Sequence, residues 1–180
     1  LQRSDWQRLS ALFDEFAERF ESTLLDKLGY SAPKRMAHFL REHGAADAKD
    51  VLDLGCGTGL MGAELASAER RIDGVDLSER MLAQARAKDI YNELHAVELL
   101  DFLRDSTAQW DLLVAADVFI YVADVAPIFA AAFDRLRAGG HFAFSIECSD
   151  AHETQLLAQT GRYRHAPEML ATALERAATL

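Results

Sequence analysis

The chain has 180 residues, 50% hydrophobic and 27% charged, with 19 Lys plus Arg against 29 Asp plus Glu for a net charge of −10. That describes one globular domain, able to bury roughly 70% of its unfolded surface without a disulfide or metal staple. The negative charge disfavours a broad nucleic-acid surface, no apolar run approaches a membrane span, and Cys56 and Cys148 make neither a disulfide framework nor a zinc set. The expected compartment is a reducing cytoplasm, and nothing in the chain marks an oligomeric state.

The first stretch reads as a helix. Trp6, Leu9, Phe13, Phe16 and Phe20 recur at spacings of three and four, Leu24 and Leu28 extend the stripe, and Gly29 ends it. Ser31 and Pro33 start a second helix with Met36, Phe39 and Leu40 on its apolar side, stopping near His43. The period then changes. Short apolar runs at 50–54, 71–76, 94–97, 110–116 and 140–146 alternate with helical patterns at 60–67, 78–87, 99–103 and 124–136. Strands alternating with helices, and apolar almost throughout, predict a doubly wound, mostly parallel α/β sheet covered on both faces. The polar stretch 150–164 fits loop or helix, and 167–178 a last helix.

The informative segment runs Val51-Leu-Asp-Leu-Gly-Cys-Gly-Thr-Gly-Leu-Met-Gly62. A strand enters a glycine-rich turn and leaves as a helix. Gly55, Gly57 and Gly59 permit positive φ and close approach of a ligand to the backbone, and the helix start offers free N–H groups. Gly57-x-Gly59-x-x-Gly62 formally matches a dinucleotide fingerprint, which supports a nicotinamide-dependent oxidoreductase as the second reading. Against it, the strand meets Gly55 first, and Asp53 places a carboxylate where a diphosphate would lie. An ammonium group suits that carboxylate better. Asp76, at the tip of the second strand, can hold a ribose diol. An amino-acid end plus a nucleoside describes S-adenosylmethionine (SAM).

These motifs resemble the class I SAM-dependent methyltransferases. Val51 to Gly59 looks like their first motif and Gly74 to Met81 their second, with its acidic residue at Asp76. Ala96 to Leu99 falls where the family contacts the adenine amino group, Trp110 to Asp117 resembles the fourth-strand motif, and Leu136 to Gly140 the usual L-x-P-G-G turn with Ala138 replacing proline. The resemblance covers about residues 48–147. It implies a cofactor site of Asp53, Gly55, Cys56, Gly57, Gly59, Asp76, Leu77, Met81, Glu98, Leu99 and Asp117, with Cys56 touching the cofactor through its backbone.

The lead-in Phe13 to Phe20, Leu28 to Tyr30 and Pro33 is similar to that of bacterial methyltransferases predicted alongside tetratricopeptide repeats, although no repeats occur here. The resemblance implies a helical lid over residues 1–44, ahead of a cofactor domain over 45–180, with Phe20 and Tyr30 as lid residues and Tyr121 as a substrate contact. The expected reaction is methyl transfer to O, N or C of a small molecule. A cofactor-binding module without chemistry is the third reading. The six histidines show no metal-like spacing, and no side chain stands out as a general base. The family's layout ends in an antiparallel strand pair beside strand five, which the pattern after 146 does not show. The natural chain is therefore expected to continue past Leu180 by about 30–40 residues.

Overall fold

The computed structural model describes residues 3–21, 23 and 29–178. Two helices, α1 (Arg3–Glu21) and α2 (Ala32–Glu42), lead into an alternating series: β1 (Asp50–Leu54), α3 (Leu60–Leu65), β2 (Arg71–Asp76), α4 (Glu79–Ala87), β3 (Glu93–Ala96), α5 (Leu99–Asp105), β4 (Trp110–Ala115), α6 (Ala126–Asp134) and β5 (Leu136–Phe144). A 3₁₀ turn at Phe119–Tyr121 follows β4. The stripe positions Leu24 and Leu28 lie outside the described residues, as does the Trp6 side chain.

The five strands form one parallel sheet in the order β3-β2-β1-β4-β5. The chain builds outward from β1 to β3, then crosses back to place β4 on the other side of β1. That reversal opens a crevice at the carboxyl ends of β1 and β4. Side chains alternate between the faces. Leu52, Leu54, Val75, Leu113 and Ala115 join α5, α6 and the last helix in one core. Val51, Ile72, Leu112 and Val114 join Met36, Ala37 and Leu40 of α2 and Met61 and Leu65 of α3 in the other. Helix α2 therefore covers the sheet and is built into the body. A ring cluster of Phe119, Phe129, Phe142 and Phe144 closes the β5 side, with centroids 5.1–6.1 Å apart.

Most boundaries shift by a residue or two from the sequence reading, and three differences are larger or bear on the site. Strand β5 starts at Leu136, because Trp110 pairs with Leu136 before a register shift in which Gly139 adopts φ +78°. Helix α3 has six residues, so its dipole is a minor contributor at the turn before it. The polar stretch after 150 is an antiparallel hairpin, β6 (Gln155–Leu157) and β7 (Arg162–Arg164), followed by α7 (Pro167–Ala177). An antiparallel pair is thus present, but as a separate two-stranded sheet and not beside β5, where the family's layout places one. Among the described residues, β5 is the outer strand of the main sheet. His165 anchors the hairpin: its Nε2 lies 2.9 Å from the Phe119 carbonyl oxygen, and its N–H donates to the Glu147 carbonyl.

Candidate cofactor site

A cavity of about 290 Å³ lies at the crevice. Its floor is the turn between β1 and α3, its walls the ends of β2, β3 and β4, and its roof α1 with Tyr30. Of the residues named from sequence for the cofactor, all except Gly59 line it: Asp53, Gly55, Cys56, Gly57, Asp76, Leu77, Met81, Glu98, Leu99 and Asp117. Phe20, Tyr30 and Tyr121 line it too. Gly59 instead caps α3 at φ +90°, shaping the turn from below.

The turn needs glycine for two different reasons. Gly57 has φ +53°, and a Cβ there would meet nothing within 4 Å, so it presents bare backbone to the cavity. Gly62, in the dinucleotide-like trio, is a glycine because of packing. A Cβ on it would lie 2.5 Å from Tyr91 Cζ. The trio is therefore no sign of a diphosphate, which corrects the nicotinamide reading.

Four carboxylates share the cavity. Asp53 is 1% exposed; its Oδ2 accepts a hydrogen bond from the Tyr91 hydroxyl at 2.7 Å, and its Oδ1 has no partner among the described residues. Burial, opposed by the Tyr91 bond and reinforced by Asp76, pushes its pKa up to about 7. Asp76 accepts from the N–H groups of Gly57 and Ser78, both at 2.8 Å, one on each oxygen. Each oxygen keeps a second lone pair for a hydroxyl donor. Burial raises its pKa although those two bonds act the other way. Glu98 caps α5, its Oε2 accepting from the N–H groups of Leu100 and Asp101 at 3.0 Å, while its buried Oε1 has no partner among the described residues. Asp117 sits in the left-handed region at φ +57°, unusual for a residue with a side chain. Ser145 Oγ holds it there, accepting from the Asp117 N–H and donating to its Oδ1, both at 2.7 Å. The Tyr30 phenol is raised beyond its ordinary range by burial and by Asp117.

The Cys56 thiol is buried, and burial with Asp53 and Asp76 nearby pushes its pKa up, so it keeps its proton. Its N–H donates to the Val75 carbonyl, tying the turn to β2.

The glycine turn, the acidic residue ending β2 and a crevice at the sheet's reversal stand together as the sequence motifs require. The methyltransferase-domain family model matches residues 52–142. The chain belongs to the class I SAM-dependent methyltransferases. The family's cofactor is SAM. A ubiquinone biosynthesis O-methyltransferase of Aromatoleum aromaticum is 30% identical over 74% of this chain and 59% of its own length. One of Hydrogenovibrio crunogenus is 29% identical over 59% of this chain and 46% of its own. This methyltransferase chain thus spans about half the length of the curated relatives it matches. Two solved structures share the fold. The DhpI–SAH complex superposes with TM-score 0.75 at 19% identity, over 98% of this chain and 89% of that one. Magnesium protoporphyrin IX methyltransferase from Synechocystis PCC 6803 with bound SAM does so with TM-score 0.75 at 16% identity, over 96% and 85%.

Sequence reasoning missed two residues that line the methyltransferase cavity, Phe13 and Arg162, and one that lies behind its lining, Tyr91. Phe13 lines it and meets Tyr121 edge-on at 5.4 Å, whereas Phe16 turns outward. The stripe was visible, but not which of its rings point inward. Arg162, on the hairpin, lies 6.0 Å from the Tyr121 ring centre. Tyr91 stands in the link before β3, where no periodicity marks it.

Proposed function

We propose that this chain binds SAM in the cavity and transfers its methyl group to a small-molecule acceptor. The observation that carries the reading is a pair of buried carboxylate oxygens, Asp53 Oδ1 and Glu98 Oε1, that have no partner among the described residues and belong to two side chains lining one cavity. Buried acceptors are normally satisfied, so such atoms call for donors from a ligand. An ammonium group fits Asp53, and an adenine amino group fits Glu98. Between them Asp76 holds the ribose hydroxyls, and bare Gly57 lets the ligand lie against the backbone. The bound sulfonium supplies an activated methyl group. The protein's part is alignment and exclusion of water.

In this reading Asp53, Asp76 and Glu98 are engaged by the cofactor. Asp117, the fourth lining carboxylate, faces Tyr30 and Tyr121 on the acceptor side and is the group left to take an acceptor's proton. The relatives' names favour oxygen as the acceptor atom. The lid is α1 together with the segment carrying Tyr30; α2 belongs with the body.

Calorimetry with S-adenosylhomocysteine (SAH) tests the proposal. Wild-type protein should bind it and melt at a higher temperature when it is present. Asp76→Ala should bind at least tenfold more weakly, since a charge-assisted hydrogen bond contributes about 1.5–3 kcal/mol. Unchanged affinity in folded Asp76→Ala would overturn the ribose assignment. Binding without methyl transfer to any hydroxylated acceptor in a metabolite screen would favour the non-catalytic reading.

A further inference from the structure

Tyr91 lies in the link between α4 and β3, yet its side chain packs beneath the cofactor turn and reaches Asp53. A Cβ added to Gly59 would lie 2.9 Å from Tyr91 Cε2, one on Gly62 2.5 Å from Cζ, and one on Gly74 2.9 Å from Cε1. Three glycines, in the turn, in α3 and in β2, thus leave room for one ring. The ring fills the space beneath the cofactor turn and delivers its hydroxyl to Asp53 Oδ2 at 2.7 Å. Asp53 Oδ1 is then left with no partner among the described residues, on a carboxylate that lines the cavity.

We propose that Tyr91 is a positioning residue for cofactor recognition: its hydroxyl fixes one oxygen of Asp53 so that the other is presented to the cofactor's cationic group. The inference rests on the SAM-binding reading above. Direction of the hydrogen bond is set by chemistry. Burial and the neighbouring Asp53 hold the Tyr91 phenol far above its ordinary range, so it donates at every working pH, and Asp53 is the partner that ionises. The groups facing Asp53 are the Tyr91 hydroxyl, the Gly62 N–H, Asp76 at the end of β2, the Cys56 thiol in the turn and the Tyr30 phenol from the roof. Among them Tyr91 is the only side-chain group stabilising the Asp53 charge at hydrogen-bond distance. The others are carboxylate, thiol and phenol, none of them cationic.

The test is SAH affinity from about pH 5.5 to pH 8.5, the range over which Asp53 gains its charge. Wild-type affinity should rise as pH passes about 7. Tyr91→Phe keeps the ring and removes the donor. Its midpoint should move to higher pH, and its affinity at neutral pH should fall about tenfold. Thermal unfolding without ligand gives a second readout. Tyr91→Phe should lose stability relative to wild type only at pH values where Asp53 is ionised, and that dependence should vanish in an Asp53→Asn background. A midpoint unmoved by Tyr91→Phe, or the same pH-dependent loss with Asn at 53, would overturn the role of Tyr91 alone. So would loss of the fold in Tyr91→Phe, because the ring by itself should hold the packing. Wild-type protein that binds no SAH would overturn the cofactor reading and this inference together.

Discussion

The floor and the roof of the cavity are attached by different forces. The floor belongs to a sheet whose faces are both buried in aliphatic and aromatic side chains, with Leu52, Leu54, Phe119 and Phe129 no more than 0% exposed. The roof, α1, rests on α4 and the turn before it through a polar seam. Ser10 Oγ donates to the Leu77 carbonyl, Ser78 Oγ to Asp14, and Gln84 to the Ala17 carbonyl, while Arg80 pairs with Glu18 and Lys88 with Glu21. Ala17 is the one fully buried residue among the described side chains of α1. Apolar burial holds the floor at a cost of several kcal/mol per side chain removed, whereas the part-buried hydrogen bonds of the seam contribute about 1–2 kcal/mol each and its exposed Arg80–Glu18 pair about 1 kcal/mol or less. A ligand as large as a nucleoside with an amino-acid tail must enter and leave. The weaker attachment is on the side proposed as the lid.

The sharpest way to break this comparison is in the floor. Phe129→Ala, which empties the centre of the ring cluster, should cost about 3–5 kcal/mol by denaturant unfolding. A loss below about 1 kcal/mol would mean that the sheet is not where the stability lies. Next comes Asp53. Its folded pKa, about 7, exceeds its unfolded value, so its stabilising contribution is present below the unfolded pKa and is lost as pH rises towards 7. A shift of about 3 units corresponds to roughly 4 kcal/mol. Asp53→Asn should therefore unfold at higher temperature than wild type near pH 8, show little difference near pH 4, and bind SAH poorly. A stability gain combined with a binding loss marks a residue kept for its ligand. The smallest effect belongs to the roof. Arg80→Gln should change stability by no more than about 1 kcal/mol, with the difference fading at high salt, yet it should speed SAH release in stopped-flow measurements. Equal release rates would show that the seam does not govern opening.

The parts legible in the sequence are those dictated by local rules. Strand β1 and its turn were readable because a buried parallel strand is continuously apolar and because Gly57 must expose backbone. Asp76 was readable from its position at a strand tip. Helix α4 was readable from Ser78, whose Oγ accepts from the Met81 N–H at 3.1 Å. What escaped depends on distant packing. Gly62 looked like half of a phosphate motif because the sequence does not show Tyr91 lying beneath it. Glu98 could be placed in the pocket but not seen as the cap of α5. The hairpin at 155–164 is short and polar, with half-exposed strands held largely by His165 and by the Arg164–Glu147 pair, so no hydrophobic alternation announced it.

That hairpin has a consequence for how such an enzyme diversifies. Its strands share no ladder with the main sheet, yet Arg162 reaches the cavity beside Tyr121, away from the glycine turn. Exchange of residues in 155–164 alters the cavity wall that Arg162 forms, the one proposed to meet the acceptor, while leaving the hydrogen bonds of the five-stranded sheet and the carboxylates of the turn in place. On the proposed function, acceptor choice and cofactor chemistry are thereby housed in separable pieces of chain, and the first can drift through mutation while the second stands still.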